Sequence, residues 1–205
     1  MKRTLCLLLS IIIIFIFASC GNVTSCGNED KNQVSQTKTD SKDRLLSALA
    51  SEETFIAEDG KSVYLKDFIY GSDGLTNYYA MPQKYVIIDL DKDGSDELVA
   101  DITPNQVCYM VFHIHGDNIY GFLVGRRALQ SLKEDGSFVQ TGGANVNYYC
   151  SMKFDETSYR IIKIAVKDEV YGIYEIHGQS RPIDDVDKYI EAWCLKKDVQ
   201  WQEVP

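Results

Sequence analysis

The stretch Ile87–Ile102, IIDLDKDGSDELVADI, decides how this chain is read. Its two ends, Ile87-Ile88 and Leu98-Val99, are β-branched or aliphatic runs of strand length. Between them lie Asp89, Asp91, Asp93, Gly94, Ser95, Asp96 and Glu97. Two short apolar runs joined through Asp-Gly read as strand, turn, strand. Calcium takes six to eight oxygen ligands, and carboxylates on alternate residues can wrap one ion. Asp89, Asp91 and Asp93 hold the first, third and fifth places of such a loop. Gly94 permits the sharp turn, Ser95 offers its carbonyl, and Glu97 offers a further carboxylate. An EF-hand is excluded: its twelfth place needs Glu, this chain has Ala100 there, and the flanks are strands rather than helices. The alternative is a solvated acidic turn. Crowded carboxylates repel one another and favour a cation among them, so a calcium ion held by Asp89, Asp91, Asp93, Ser95 and Glu97 is the expectation.

Working outward, β patterning dominates the rest. In Asn145–Phe154, NVNYYCSMKF, the residues Val146, Tyr148, Cys150, Met152 and Phe154 alternate with Asn147, Tyr149, Ser151 and Lys153. That period of two predicts a strand with one apolar face. YRIIKIAV (from Tyr159) and VYGIYEI (from Val170) follow, with turns predicted at Asp155–Ser158 and Lys167–Glu169. Upstream, VCYMVFHI and NIYGFLV flank His115, Gly116 and Asp117. Such short spacings argue for antiparallel hairpins rather than parallel β-α-β units. Helices close both ends. SKDRLLSALA predicts a short first helix with Ser41 as its cap and Leu45, Leu46 and Leu49 inward. PIDDVDKYIEAWCLKK predicts an amphipathic last helix, with Pro182 in its first turn and Ile183, Val186, Ile190, Trp193 and Cys194 inward. Asp184, Asp185 and Asp187 then lie at its positive end, and Lys196 and Lys197 at its negative end. The expected fold is α+β: an antiparallel, meander-like sheet with a short N-terminal helix and a C-terminal amphipathic helix.

The N-terminus speaks about location. Lys2 and Arg3 precede an apolar run, Leu5–Ala18, of 14 residues. A spanning helix needs roughly 20, so a secretory leader is predicted rather than a permanent span. The end of that run, FASC, resembles the bacterial lipoprotein signal, with small residues Ala18 and Ser19 before Cys20. The resemblance implies cleavage after residue 19 and acylation of Cys20, with at least two chains to anchor the protein. Residues 20–40 are polar and nearly free of large apolar groups, which predicts a flexible tether with a reach on the order of 25 Å. Residues 41–205 then form one globular domain. The whole chain has 21 basic and 30 acidic residues; loss of Lys2 and Arg3 with the leader leaves 19 against 30, a net charge of −11. Such a balance repels phosphate backbones, so nucleic acid is not an expected partner.

Other chemistry is sparse. Cys26, Cys108, Cys150 and Cys194 contain no CxxC spacing and dictate no particular disulfide. His113 and His115 share one strand face and, with His177, form the material for a zinc site; hydrogen-bonded strand histidines are the plainer reading. Arg126-Arg127 is a basic pair suited to solvent or an ion pair. The many tyrosines can line a peptide or glycan surface, or pair across strands. No nucleophile elbow, phosphate loop, HExxH or dinucleotide fingerprint is present, and no catalytic set is assigned.

The acidic stretch is similar to the strand-loop-strand calcium loops of FG-GAP-type repeats, DxDxDGxxD, with Glu97 in the final Asp position. Together with YMVFHIHGDNIYGF, the arginines at 126 and 127, LKEDGSF and TGGA, it also resembles a group of lipoproteins from Gram-positive gut bacteria that carry no established activity. The resemblance implies a lipid-anchored protein on the extracytoplasmic face of the cell membrane, stabilised by one calcium ion. Two functions are open: a binding or interaction domain for a protein or glycan partner, or a cell-surface enzyme acting on wall or glycan.

Overall fold

The computed structural model describes residues 40–70, 78–102 and 108–204. The leader, Cys20, Cys26 and the tether as far as residue 39 lie outside the described residues, while Asp40, expected in the tether, is helical. The fold is α+β and mostly sheet.

The chain enters as helix α1 (40–49), followed by the short strands β1 (Phe55–Ala57) and β2 (Ser62–Val63). Strands β3 (Ile69–Tyr70) and β4 (Tyr78–Tyr79) make a separate two-stranded ribbon. Then come β5 (Lys84–Ile88), β6 (Glu97–Asp101), β7 (Cys108–His115) and β8 (Asn118–Gly125), paired antiparallel in sequence order. With β14 (Gln202–Glu203) at one edge and β1-β2 at the other, they form a seven-stranded sheet. A second sheet of five strands runs β9 (Phe138–Gly143), β10 (Val146–Phe154), β11 (Tyr159–Asp168), β12 (Ile173–Ile176) and β13 (Gln179–Ser180). The second helix, α2 (Ile183–Cys194), lies between β13 and β14 in the chain.

Three hydrophobic clusters stack these elements in four layers. On one face of the large sheet, Leu98, Ala100, Met110 and Phe112 pack against Leu45, Ala48 and Leu49 of α1. On its other face, Val86, Val99, Val111 and Val124 meet Phe138, Cys150 and Met152 of the small sheet. Tyr149 and Ala165, on the far side of the small sheet, pack under Trp193 of α2. Strand β6 is covered on both sides, so every one of its residues is buried. That explains why ELVAD does not alternate cleanly in polarity.

Several details depart from the sequence reading. Residues 40 and 41 are already helical, so Ser41 lies inside α1 instead of capping it. Of the inward set, Leu45 and Leu49 are buried, Leu46 is half-buried, and Ala48 is fully buried as well. Tyr149 was expected on the outer face of β10 yet is buried, because α2 gives that face a second apolar partner. Consecutive strand residues point to opposite faces, so Tyr149 and Cys150 are buried on opposite sides; the register shift between them passes over Ile164 of β11. The turn expected at 167–169 begins later. Strand β11 runs to Asp168, whose carboxylate accepts the N–H groups of Val170 and Tyr171 at 3.0 Å each and so starts the reversal there.

In α2 the inward stripe is Val186, Tyr189, Ile190 and Trp193. Cys194 and Ile183 lie on the exposed flank. Lys196 and Lys197 fall beyond the helix and pair with Asp135 and Glu134, at 2.7 and 3.8 Å. Sequence periodicity also gave no hint of the parallel pairing of β1 with β8, since a three-residue strand carries no period. Cys108, Cys150 and Cys194 are free thiols. Among the described residues no helix is long and apolar enough to cross a membrane.

Candidate metal centre

The acidic loop joins β5 to β6 at the end of the large sheet. Antiparallel pairing of Ile88 with Glu97 closes its base. Lys92 (φ 63°) and Gly94 (φ 98°) both adopt the left-handed conformation and reverse the chain within the loop. The amides that follow turn back onto the carboxylates. Asp93 N–H donates to Asp89 Oδ1 at 3.2 Å and to Asp91 Oδ1 at 3.1 Å, and Gly94 N–H donates to Asp89 Oδ2 at 3.2 Å. Asp93 accepts from Ser95 N–H at 2.7 Å.

Three side chains converge: one carboxylate oxygen from each of Asp89, Asp91 and Glu97, all within 4.8 Å of one another. Such a group can hold a metal ion. Glu97 is fully buried and Asp91 is 6% exposed, whereas Asp93 and Ser95 are exposed, and the Asp93 carboxylate is not one of the three that converge. Burying Glu97 follows from strand parity. It is the first residue of β6 and lies on the same face as Val99, toward the small sheet.

Glu97 is held at both oxygens. Leu90 N–H donates to Oε2 at 2.8 Å, and His113 Nδ1 lies 3.0 Å from Oε1. Burial pushes the Glu97 carboxyl above its ordinary value of 4.5; hydrogen bonds from His113 and Leu90 pull it down, and the charge of Asp91 adds to the rise. A cation among the three carboxylates would offset both the desolvation and the repulsion.

The small sheet reaches into the same place. Phe154 N–H, at the end of β10, donates to Asp91 Oδ2 at 3.3 Å, and Lys153 Nζ donates to the Asp91 carbonyl. The Phe154 ring lies flat on His113, with centroids 4.5 Å apart and planes 7° from parallel. Strand β10 thus touches both Asp91 and the histidine that holds Glu97. A third contact comes from the turn before β9. Gly136 has φ 77°, and a Cβ there would lie 2.6 Å from the Leu90 carbonyl oxygen.

The sequence reading found Asp89, Asp91 and Glu97 but not their supports. His113 pairs with Glu97, while His115 is exposed at the tip of the β7-β8 hairpin and His177 sits in the β12-β13 turn of the other sheet. Among the described residues the three histidines form no metal-ligand group. The sequence does not mark these supports: the β6-β7 register that pairs Leu98 with Phe112, and so sets His113 beside Glu97 on the buried face, is a property of the fold. Arg126 and Arg127 are exposed in a single 3-10 turn (Arg126–Ala128). No protein-family model, curated protein or solved structure matches this chain.

Proposed function

We propose that this protein is a lipid-anchored domain on the extracytoplasmic face of the cell membrane, stabilised by one calcium ion and serving to bind a protein or glycan partner. The single observation that carries the metal part is the convergence of Asp89, Asp91 and Glu97 where the two sheets meet. A set of three carboxylate oxygens favours a hard cation, and a loop exposed on the Asp93 side leaves room for carbonyl and water ligands. The anchor rests on the FASC sequence and Cys20.

The role of the ion is structural. Extracellular calcium sites commonly bind at about 0.1–1 mM. At roughly 1 mM free calcium and a dissociation constant of about 0.1 mM, binding adds about 1.4 kcal/mol of stability, or a rise in Tm of about 3–6 °C for a chain of this size. Calorimetric titration of calcium into the metal-stripped chain, beside Asp91→Ala, tests the reading. A saturable one-site isotherm in the wild type that the variant loses supports it; no heat at millimolar calcium removes it.

A further inference from the structure

Away from the acidic loop, a crevice of about 200 Å³ opens between α2 and the small sheet, beside the β9-β10 turn. One wall is Ile190 of α2. The other is Asn147 and Tyr149 of β10 with Lys167 of β11, and Asn145 and Glu169 come from the adjoining turns. Strand parity and register bring these groups together. Asn147 and Tyr149 share one face of β10, and Asn147 pairs across to Lys167. Lys167 Nζ then reaches α2, donating to Asp187 at 2.8 Å, with Glu169 at 3.4 Å. The Glu169 N–H donates to the Asn145 carbonyl at 3.0 Å and ties the two turns to each other. Tyr149 is the unusual member. It is 7% exposed, its ring is held edge-on by Trp193 and Tyr189 with centroids at 5.0 and 6.4 Å, and its hydroxyl has no hydrogen-bond partner among the described residues. Buried tyrosine hydroxyls usually find one. Burial and then Cys194 push that hydroxyl's pKa up while Lys167 pulls it down, which places the group near the ammonium on the crevice wall.

We infer that this crevice binds one neutral sugar residue of a glycan, its ring hydroxyls bonded to the Tyr149 hydroxyl and to the Asn145 and Asn147 amides, and a C–H face against Ile190. It rests on the reading of the chain as a binding domain, for which it names the partner, and not on the calcium site. Three features select the ligand. The groups left over, a hydroxyl and two carboxamides, each donate and accept, as sugar hydroxyls do. The charges that line the crevice are one of each sign, and Lys167 is engaged by both Glu169 and Asp187. An anion or a cation would have to break these pairs to find a partner. The volume lies below the range of about 300–1,000 Å³ for drug-sized sites, which suits a single ring better than a run of peptide. The Tyr149 hydroxyl, fixed by packing, gains a hydrogen bond from such a ligand without breaking one inside the protein.

Ligand-observed saturation-transfer NMR tests this with the full chain in phosphatidylcholine nanodiscs, empty discs serving as the blank. The probes are the methyl glycosides of glucose, galactose, mannose and N-acetylglucosamine. At least one should saturate a single site below about 20 mM. That sugar should bind at least about fivefold tighter than its uronate or its 2-amino form, the same ring with either charge, and than acetyl-alanine amide, a neutral peptide unit. Tyr149→Phe removes one oxygen and keeps the ring packing, so it should melt as the wild type does and weaken the sugar at least about fivefold. Asn147→Ala should weaken it likewise. Tyr159→Phe, the same deletion on the opposite face of the small sheet, should bind as the wild type does. No saturation by any of the four glycosides, equal binding of a charged sugar or of the peptide unit, an unchanged affinity in Tyr149→Phe, or an equal loss in Tyr159→Phe would each overturn the proposal. Calcium titration of the same preparation is a separate readout, so a protein that takes calcium and no sugar fails this inference alone.

Discussion

Replacing Gly136 by alanine should damage the metal loop, although Gly136 supplies no ligand. Two costs separate cleanly. A residue with a Cβ at φ 77° sits in the left-handed region, which costs roughly 1–2 kcal/mol. The new Cβ would also stand 2.6 Å from the Leu90 carbonyl oxygen, a distance that forces one backbone segment to move. Overpacking of that kind costs typically about 1–3 kcal/mol. The expected total is about 2–5 kcal/mol. Gly172→Ala is the matched control: its φ is 65°, and nothing lies within 4 Å of its added Cβ. It should lose only the first part. Because the carbonyl that must shift is one residue from Asp89 and from Asp91, Gly136→Ala should also weaken calcium binding, by about tenfold if the displacement costs the site 1.4 kcal/mol. Denaturant melts and calcium titrations of both variants give the two numbers. A Gly136→Ala protein no less stable than Gly172→Ala, or one with unaltered calcium affinity, would refute the reasoning.

Three further outcomes are expected. Burial holds the folded Glu97 carboxyl above 4.5, so its contribution to ion-free stability is fully present below 4.5 and is lost as pH rises through the raised value. Denaturant melts of wild type against Glu97→Gln between pH 4 and 8 should show the wild type losing ground as pH rises without metal, and millimolar calcium should remove that trend. Trp193→Ala removes the indole that packs on Tyr149 and donates to Ser137 Oγ at 2.9 Å; chemical denaturation should register a loss of about 3–5 kcal/mol. Cys20→Ser should abolish incorporation of an alkyne-palmitate label and shift the protein out of the membrane fraction; a serine variant that keeps both would end the lipoprotein reading.

The legible and illegible parts of the sequence divide along one physical line. Local signals were reliable. The apolar runs VCYMVFHI and NIYGFLV, so closely spaced about His115, Gly116 and Asp117, specified the β7-β8 hairpin, and Gly116 does adopt φ 58°. Acidic residues on alternate positions around a glycine marked the loop, and three of them converge. Contacts between distant segments left no such trace. Tyr149 reads as an outer-face residue until α2 covers it. Cys194 reads as inward because it falls four residues after Ile190, but it is rotated about 100° from Trp193, enough to place its thiol in solvent. The Glu97-His113-Phe154 chain joins three segments whose proximity depends on the closure of one sheet on the other.

The most direct test of the central claim is an X-ray data set from crystals grown in about 10 mM calcium, above the weakest common extracellular range, with anomalous differences recorded. The account predicts one strong peak in the β5-β6 loop, with oxygens of Asp89, Asp91 and Glu97 at about 2.3–2.6 Å from it. Crystals with no peak there, or with the calcium held by other residues, would contradict it.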